Sequence, residues 1–479
     1  MSSSATGGHR LNGRVAIVGA SLAGLRAAEA LRHKGFRGKL TLIGDESYEP
    51  YDRPPLSKQV LTGYALAGQT ALPRLRHLDA EWRLGAAAVG LDPTRQRVHL
   101  ADGHEVGFDR LLIATGVRAR PWANQAEAAL DGVCVLRTRD HAARLRQYLA
   151  AKPQRVLIIG AGFIGCEIAS ACRELGLPVT VVDRGGAPLE NALGGAIGAW
   201  AATLQRQHGV DLRCGVTVTE LAGDGSGRLR RAHLSDGTVI DIDVAVAALG
   251  SIRNTEWLHD SGLAADSAWG VTCDTHCRVF DLNGVVTEHI FAAGDVARFP
   301  HPRYDFEFLA VEHWSNAVTQ AEVAAHNIIC APSRRRPHLA VPTFWSAQFG
   351  TNIKSVGVAR FADEVVITQG SVDEHRFIAA YGRRGRLVAA VTVNQGMWLE
   401  FFERLIADSA PFPPPAPGFD QPAGVRPIPA GFRNPGVPPH EPGAIGYAPS
   451  ERRAVFAPPG NYRNEFREIP PRRCQVNTQ

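Results

Sequence analysis

The sequence predicts an α/β protein: two doubly wound, Rossmann-like nucleotide-binding domains, then a small α+β domain, then a proline-rich extension. Three observations carry this. The short apolar strand Val15-Ala16-Ile17-Val18-Gly19 and a helical run over 23–34 recur as Val156-Leu157-Ile158-Ile159-Gly160 and a helical run over 164–175. Each copy continues into a second apolar strand, over 40–43 and 179–182, which gives the βαβ order of a dinucleotide site twice. Composition then breaks after Ala410, because the last 69 residues hold 17 of the 31 prolines.

A chain of 479 residues has room for about three domains of ~150 residues. With 45% hydrophobic and 21% charged residues the body is expected to be an ordinary globular protein, and its 49 glycines suit tight βα turns. The net charge of +5 divides unevenly. Residues 411–479 carry eight arginines against five acids, so +3 belongs to the extension and only +2 to the body. Attraction to nucleic acid is therefore not expected. The first 13 residues are polar and no run approaches ~18 apolar residues, so neither export nor a membrane is expected. Eight scattered cysteines without a disulfide framework agree with a reducing cytoplasm.

The first turn reads Gly19-Ala20-Ser21-Leu22-Ala23-Gly24. Gly19 allows the sharp bend, Gly24 lets the helix lie close on the strand, and Ser21 stands where a second glycine is usual. The helix start offers free N–H groups and a partial positive charge to a pyrophosphate. Asp45, 26 positions after Gly19, is placed to accept hydrogen bonds from an adenosine ribose. The second turn, Gly160-Ala161-Gly162-Phe163-Ile164-Gly165, is a complete GxGxxG. Its second strand ends at Asp183, 23 positions after Gly160, where a carboxylate binds a ribose diol and repels a 2′-phosphate. NADH is thus expected over NADPH, although Arg184 next to it leaves NADPH open. Two fingerprints imply two dinucleotides, a bound flavin and a diffusible nicotinamide.

At this point the chain resembles the FAD-dependent ferredoxin reductases that serve bacterial cytochromes P450 and Rieske-type oxygenases. The resemblance rests on Tyr51-Asp52-Arg53-Pro54-Pro55-Leu56-Ser57-Lys58, Leu112-Ile113-Ala114-Thr115-Gly116, Ala292-Ala293-Gly294-Asp295-Val296-Ala297, Val311-Glu312-His313-Trp314-Ser315-Asn316-Ala317 and Phe344-Trp345-Ser346. These runs follow family order over about 400 residues, from Arg14 to Phe412. The fold implied is the glutathione-reductase type. It assigns 13–120 and 249–332 to an FAD domain, 121–248 to an NAD domain, 333–410 to a C-terminal reductase domain and 411–479 to an extended or disordered tail. The tail's spaced aromatics, among them Phe412 and Tyr462, leave a clasp on the body or a partner open.

The resemblance implies roles residue by residue. Ala23 and Asp45 would contact the adenosine half of FAD, Val89 would line the adenine site through its backbone, and Asp295 would bond the ribityl chain. Arg137 would offer its guanidinium to FAD. Arg53, Ala114, Thr115, Gly116, Gly250 and Gly294 complete the expected cofactor set. Trp314 and Trp345 would flank the isoalloxazine, or serve in packing. Lys58 would reach flavin N5 with Glu167 as its partner, and a cation there would stabilise anionic reduced flavin.

Cysteine spacing decides the subclass. There is no CxxC or CxxxxC; Cys166 and Cys172 belong to the second fingerprint helix, and Cys273 and Cys277 with His276 lack a fourth metal ligand. All eight are read as structural. Without a dithiol relay the expected route runs from NADH through FAD to an outside iron–sulfur ferredoxin, and on to a cytochrome P450 or Rieske-type oxygenase. The run Arg334-Arg335-Arg336, with Arg303 and Arg404, would suit an acidic ferredoxin or be solvated linker. Two alternatives remain: an NADH oxidase or small-molecule reductase, and a flavoprotein like the apoptosis-inducing factors with a mainly binding role.

Overall fold

A computed structural model describes residues 12–75, 78–414 and 426–427. The N-terminal unit is built on a six-stranded sheet in the order Arg278–Phe280, Val286–Ala292, Arg110–Ile113, Arg14–Val18, Lys39–Gly44, Glu81–Leu84. Its strands are parallel except for the outermost Arg278–Phe280. The second unit is a fully parallel five-stranded sheet, Asp211–Cys214, Val179–Asp183, Val156–Ile159, Val244–Ala247, Val133–Cys134. Sheets covered on both faces need apolar residues on both, which is why Val156–Ile159 and Val244–Ala247 are buried throughout rather than alternating.

The internal repeat extends further than the two turns. Before strand Arg110–Ile113 of the first unit and strand Val244–Ala247 of the second lies a three-stranded antiparallel sheet: Ala88–Asp92, Arg97–Leu100, Glu105–Gly107 in the first, and Val218–Gly223, Leu229–Leu234, Val239–Asp241 in the second. The two crossings between the units, Val117–Ala119 and Ser251–Arg253, pair antiparallel with each other. Helix Trp314–Ile329 returns to lie against helix Leu22–His33. Alanines on both sides (Ala23, Ala27 and Ala28 against Ala317, Ala321 and Ala324) allow close approach.

The C-terminal unit is an antiparallel sheet, Thr343–Gln348, Thr351–Gly357, Arg386–Val393, Arg376–Arg383, Glu364–Ser371, with helix Leu399–Ala407 on one face. Strand alternation splits its residues: Ile378 and Ala380 face that helix with Phe402 and Ile406, while Phe377, Ala379 and Tyr381 face the rest of the molecule. Polar contacts fix this second face on the second unit. Trp200 Nε1 donates to His375 Nδ1 at 2.8 Å, the Tyr381 hydroxyl donates to the Leu193 carbonyl, and Phe349 N donates to Ser170 Oγ at 2.7 Å.

Of the proline-rich extension, only 411–414 and 426–427 fall within the described residues. Pro411 bridges to Arg386, Phe412 is buried, and Arg426–Pro427 adds a sixth strand beside Glu364–Ser371. The expectation for the remaining extension lies outside the described residues. Phe412 sits on Gly382, where an added Cβ would come within 2.3 Å of its ring. The C-terminal unit therefore includes the start of the extension. Phe412→Ala is expected to destabilise the protein by about 3 kcal/mol, as large-to-small aromatic changes do in cores. Urea denaturation checks this, and a midpoint shift worth under ~1 kcal/mol would place Phe412 outside the core.

Candidate active site

The two glycine turns are built alike. Gly19 N donates to the Ile43 carbonyl and Gly160 N to the Val182 carbonyl, both at 2.8 Å. Gly19 has φ +114° and a Cβ there would lie 2.0 Å from the Ala114 carbonyl oxygen; Gly160 has φ +108° and a Cβ would lie 2.4 Å from that of Ala248. A Cβ on either Gly24 or Gly165 would come 1.9 Å from the carbonyl oxygen of its own turn's first glycine. No side chain with a β-carbon fits these four positions without moving backbone. Ser21 and Gly162 occupy the N-caps, neither with a side-chain capping bond, so the first helical N–H groups face the cleft unsatisfied by side chains.

Between the turns lies a cleft of about 640 Å³. It is lined by Gly19, Ser21 and Ala23 of the first turn, by Gly162 and Ile164 of the second, and by Asp45, Arg53, Lys58, Ala114, Thr115, Gly116, Arg137, Glu167, Gly250, Asp295, Trp314 and Trp345. Gly24, Gly160, Gly165, Asp183 and Gly294 stand behind this lining as turn and support residues. Val89 is not brought to the cleft: it lies on strand Ala88–Asp92 with its side chain exposed. The resemblance implies a role for its backbone, and the strand's register shifts between Ala88 and Gly90.

Lys58 and Glu167 meet. Pro54 and Pro55 fix the short turn Pro54–Ser57, and Lys58 follows at its junction with helix Gln59–Thr62. Its Nζ lies 2.7 Å from Glu167 Oε2 and donates to the Pro54 carbonyl at 3.2 Å. Glu167, only 4% exposed, also accepts from Ser57 Oγ at 2.5 Å on Oε2 and from Ser346 Oγ at 2.6 Å on Oε1. Each oxygen of the buried charge thus has a donor, as burial requires.

Arg137 Nη2 donates to Asp295 Oδ2 at 2.8 Å and Arg137 Nε to the Val117 carbonyl at 3.1 Å, so two residues read separately from the sequence form one pair. Arg53 bonds Glu46 Oε1 (2.7 Å), the Tyr51 hydroxyl and the Arg137 carbonyl (both 2.9 Å). Trp314 Nε1 donates to Asp52 Oδ1 at 2.9 Å, and burial raises the Asp52 carboxyl above the usual range while that bond opposes the shift. Trp345, 40% exposed, meets Trp314 edge-on at 6.1 Å between ring centroids. Asp183 accepts from Ala161 N and Gly185 N, each at 2.6 Å, one on each oxygen.

Sequence reasoning missed several lining residues. Asn254 is one, and it bonds the expected Thr115 reciprocally: Thr115 Oγ1 donates to the Asn254 carbonyl at 2.7 Å, and Asn254 Nδ2 to the Thr115 carbonyl at 2.9 Å. Phe163 meets Phe344 at 3.7 Å. Ser57 and Ser346 stand in recognised runs, yet nothing local marks them as partners of Glu167. The arginine run also reads differently in three dimensions. Arg335 turns inward to Glu288 at 2.8 Å, Arg303 donates to the Ala407 carbonyl, and only Arg334, Arg336 and the Glu400-paired Arg404 remain outside. Seven cysteines are described; all are free, and none lines the cleft. Cys474 lies outside the described residues. Among the described residues no helix is long and apolar enough to cross a membrane.

Comparison with known proteins agrees with this architecture. Residues 13–321 match the family model for pyridine nucleotide-disulphide oxidoreductases, and residues 343–421 match the one for the reductase C-terminal domain. Putidaredoxin reductase of Pseudomonas putida is 33% identical over 84% of this chain and 94% of its own length. Rhodocoxin reductase of Rhodococcus erythropolis is 34% identical over 84% and 91%. The crystal structure of the covalent putidaredoxin reductase–putidaredoxin complex superimposes with a TM-score of 0.76 at 31% identity, covering 83% of this chain and 94% of that one.

At the cleft wall burial pushes the His313 imidazole down to about 4, and behind it that of His338 to about 3; His301 is lowered by the same cause. His338 Nε2 bonds Asn316 Oδ1 at 3.0 Å. These rings fold neutral, whereas in the unfolded chain they take up a proton near 6.5. Stability present above pH 6.5 is therefore expected to fall as pH drops toward 4, by up to about 1.4 kcal/mol per pH unit for each ring. Melting temperatures between pH 7.5 and 5 check this, with His338→Gln flattening the slope; an equally steep slope in that variant removes His338 from the account.

Proposed function

The chain belongs to the pyridine nucleotide-disulphide oxidoreductase family, and from that premise we propose that it is an FAD-containing ferredoxin reductase. It oxidises NADH and passes the electrons to an iron–sulfur ferredoxin that serves a cytochrome P450 or Rieske-type oxygenase. The single observation that carries the reading is the Lys58–Glu167 pair inside one cleft bordered by both glycine turns. The relatives' names, reductases of putidaredoxin and rhodocoxin, support the acceptor class.

The residues present fit a flavin dinucleotide. The cleft is continuous from the uncapped turn at Ser21, past Thr115 and Gly116, to Asp295 and Trp314. The helix start at Ser21–Ala23 receives the pyrophosphate, with Gly19 and Gly24 holding the turn in shape. Asp45 receives the adenosine ribose, and its carboxylate is committed only to Glu46 N at 3.0 Å. The Arg137–Asp295 pair leaves carboxylate lone pairs open for a polyol hydroxyl. Arg53 braces the Arg137 backbone, and Ala114, Gly116, Gly250 and Gly294 give close backbone approach. Trp314 and Trp345 bound the ring system, and Lys58 aims a cation at it.

When bound, the flavin supplies two-electron uptake from a nicotinamide and stepwise release to a one-electron acceptor. The chain's own contribution is to hold Lys58 in place through Glu167, to exclude water with Phe163, Phe344 and the two tryptophans, and to orient the second dinucleotide. Gly160, Gly162, Ile164 and Gly165 receive its pyrophosphate, and Asp183 its ribose diol, which favours NADH. The carboxylate retains lone pairs beyond those used by Ala161 and Gly185.

Stopped-flow mixing of FAD-loaded protein with NADH, then with a ferredoxin, tests the reading. Rapid bleaching followed by ferredoxin reduction faster than that of oxygen or quinone is expected. Turnover with oxygen or quinone that ferredoxin does not exceed favours an oxidase or small-molecule reductase instead. Asp183→Ala is expected to weaken NADH by roughly tenfold or more, as for a lost bond to a charged group, with little effect on NADPH. The ratio of the two dissociation constants cancels general damage to the turn, and an unchanged ratio would remove Asp183 from cofactor choice.

A further inference from the structure

Glu167 Oε1 has one donor, the Ser346 hydroxyl, supplied by the C-terminal unit. We infer that Ser346 is a positioning residue for flavin reduction: it holds the Glu167 carboxylate in the rotamer that presents Oε2 to Lys58. The inference rests on the ferredoxin-reductase reading above and concerns a residue with no role in it so far.

The geometry is a register match between a strand and a helix. On strand Thr343–Gln348, Phe344 and Ser346 share one face. On helix Phe163–Glu174, residues 163, 167 and 170 share another, at spacings of four and three. Phe344 meets Phe163 at 3.7 Å, Ser346 Oγ donates to Glu167 at 2.6 Å, and Phe349 N donates to Ser170 Oγ at 2.7 Å. The intervening Trp345 points the other way, to Trp314. Ser346 is 1% exposed, so water cannot replace its hydroxyl. Gln348 Nε2, at 3.4 Å from Ser346 Oγ, is the hydroxyl's own donor and orients its proton toward the carboxylate.

Without the hydroxyl, Oε1 is a buried anionic oxygen with no donor. The carboxylate then gains by turning toward other donors, and Lys58 loses its fixed partner. Ser57 cannot substitute, because it is committed to Oε2 from the flavin side. Hydrogen bonds to charged groups are worth more than a factor of ten each, so the effect is measurable.

The test uses the full-length FAD-loaded protein. Wild-type bleaching by NADH is measured first, since its absence would overturn the functional reading and not this inference. Ser346→Ala is expected to slow the limiting rate of flavin reduction roughly tenfold or more while NADH affinity stays within about twofold, and to shift the flavin midpoint potential. Ser346→Thr, which restores the hydroxyl, is expected to recover most of both. Ser170→Ala breaks a bond in the same interface without touching the carboxylate; at a comparable loss of melting temperature it is expected to leave rate and potential near wild type. An unchanged rate and potential in Ser346→Ala, or equal slowing in Ser170→Ala, overturns the inference.

Discussion

A carboxylate buried to the extent of Glu167 must be paired, because an isolated charge in that setting costs several kcal/mol. The cluster it forms spans three parts of the chain: Ser57 and Lys58 from the first unit, Glu167 itself from the second, and Ser346 from the third. Removing one partner from a buried ion pair costs about 3–5 kcal/mol, against about 1 kcal/mol for a neutral hydrogen bond at an interface. The Glu167 contact is thus a charged constraint that joins all three units, beside the Arg137–Asp295 pair between the first two. Other contacts, such as Trp200 to His375 and Tyr381 to Leu193, fix the same arrangement with less at stake.

The parts of the fold that were legible in the sequence are those that local stereochemistry dictates. Gly19 and Gly160 need positive φ and leave no room for a Cβ, so their identity announces the turn. Ser21 departs from the fingerprint without cost for a visible reason. Its φ is −101° and that of Gly162 is −73°, both ordinary values for any residue, so the second position demands small size and not glycine's freedom. The internal repeat was legible for the same reason: the period of apolar residues is a local property, and both copies share it down to the 2.8 Å bond that closes each turn.

Where the sequence failed, the missing information was tertiary. Both readings of the three consecutive arginines, a contact for an acidic ferredoxin or a solvated linker, treat them alike, whereas Arg335 is drawn inward by Glu288 and lies over the Phe291 ring at 5.9 Å. Thr115 and Asn254 are 139 residues apart and nothing in either neighbourhood hints at their mutual bonds. Arg137 and Asp295 were each legible as cofactor residues, but not as a pair.

The cysteines bear on how electrons can leave the cleft. Cys166, next to Glu167, points away from it: its thiol donates to the Ala161 carbonyl at 3.3 Å and accepts from Gln205 Nε2 at 3.0 Å. Burial pushes this thiol, and likewise Cys172, Cys273 and Cys277, far up from its ordinary value. A thiol kept protonated is neither a nucleophile nor a relay, because thiol–disulfide chemistry runs through the thiolate. Among the described residues no cysteine lines the cleft, so the dithiol step from which the family takes half its name has no pair of thiols there. What the cleft offers in its place is the pair of tryptophans, with Trp345 partly exposed at its edge and Trp314 anchored within by Asp52. A one-electron acceptor that cannot enter the cleft must approach where the ring system comes nearest to solvent. The alternation of a single strand puts that edge and the grip on Glu167 on adjacent residues, so exposed Trp345 and the hydroxyl that holds the buried carboxylate share one backbone.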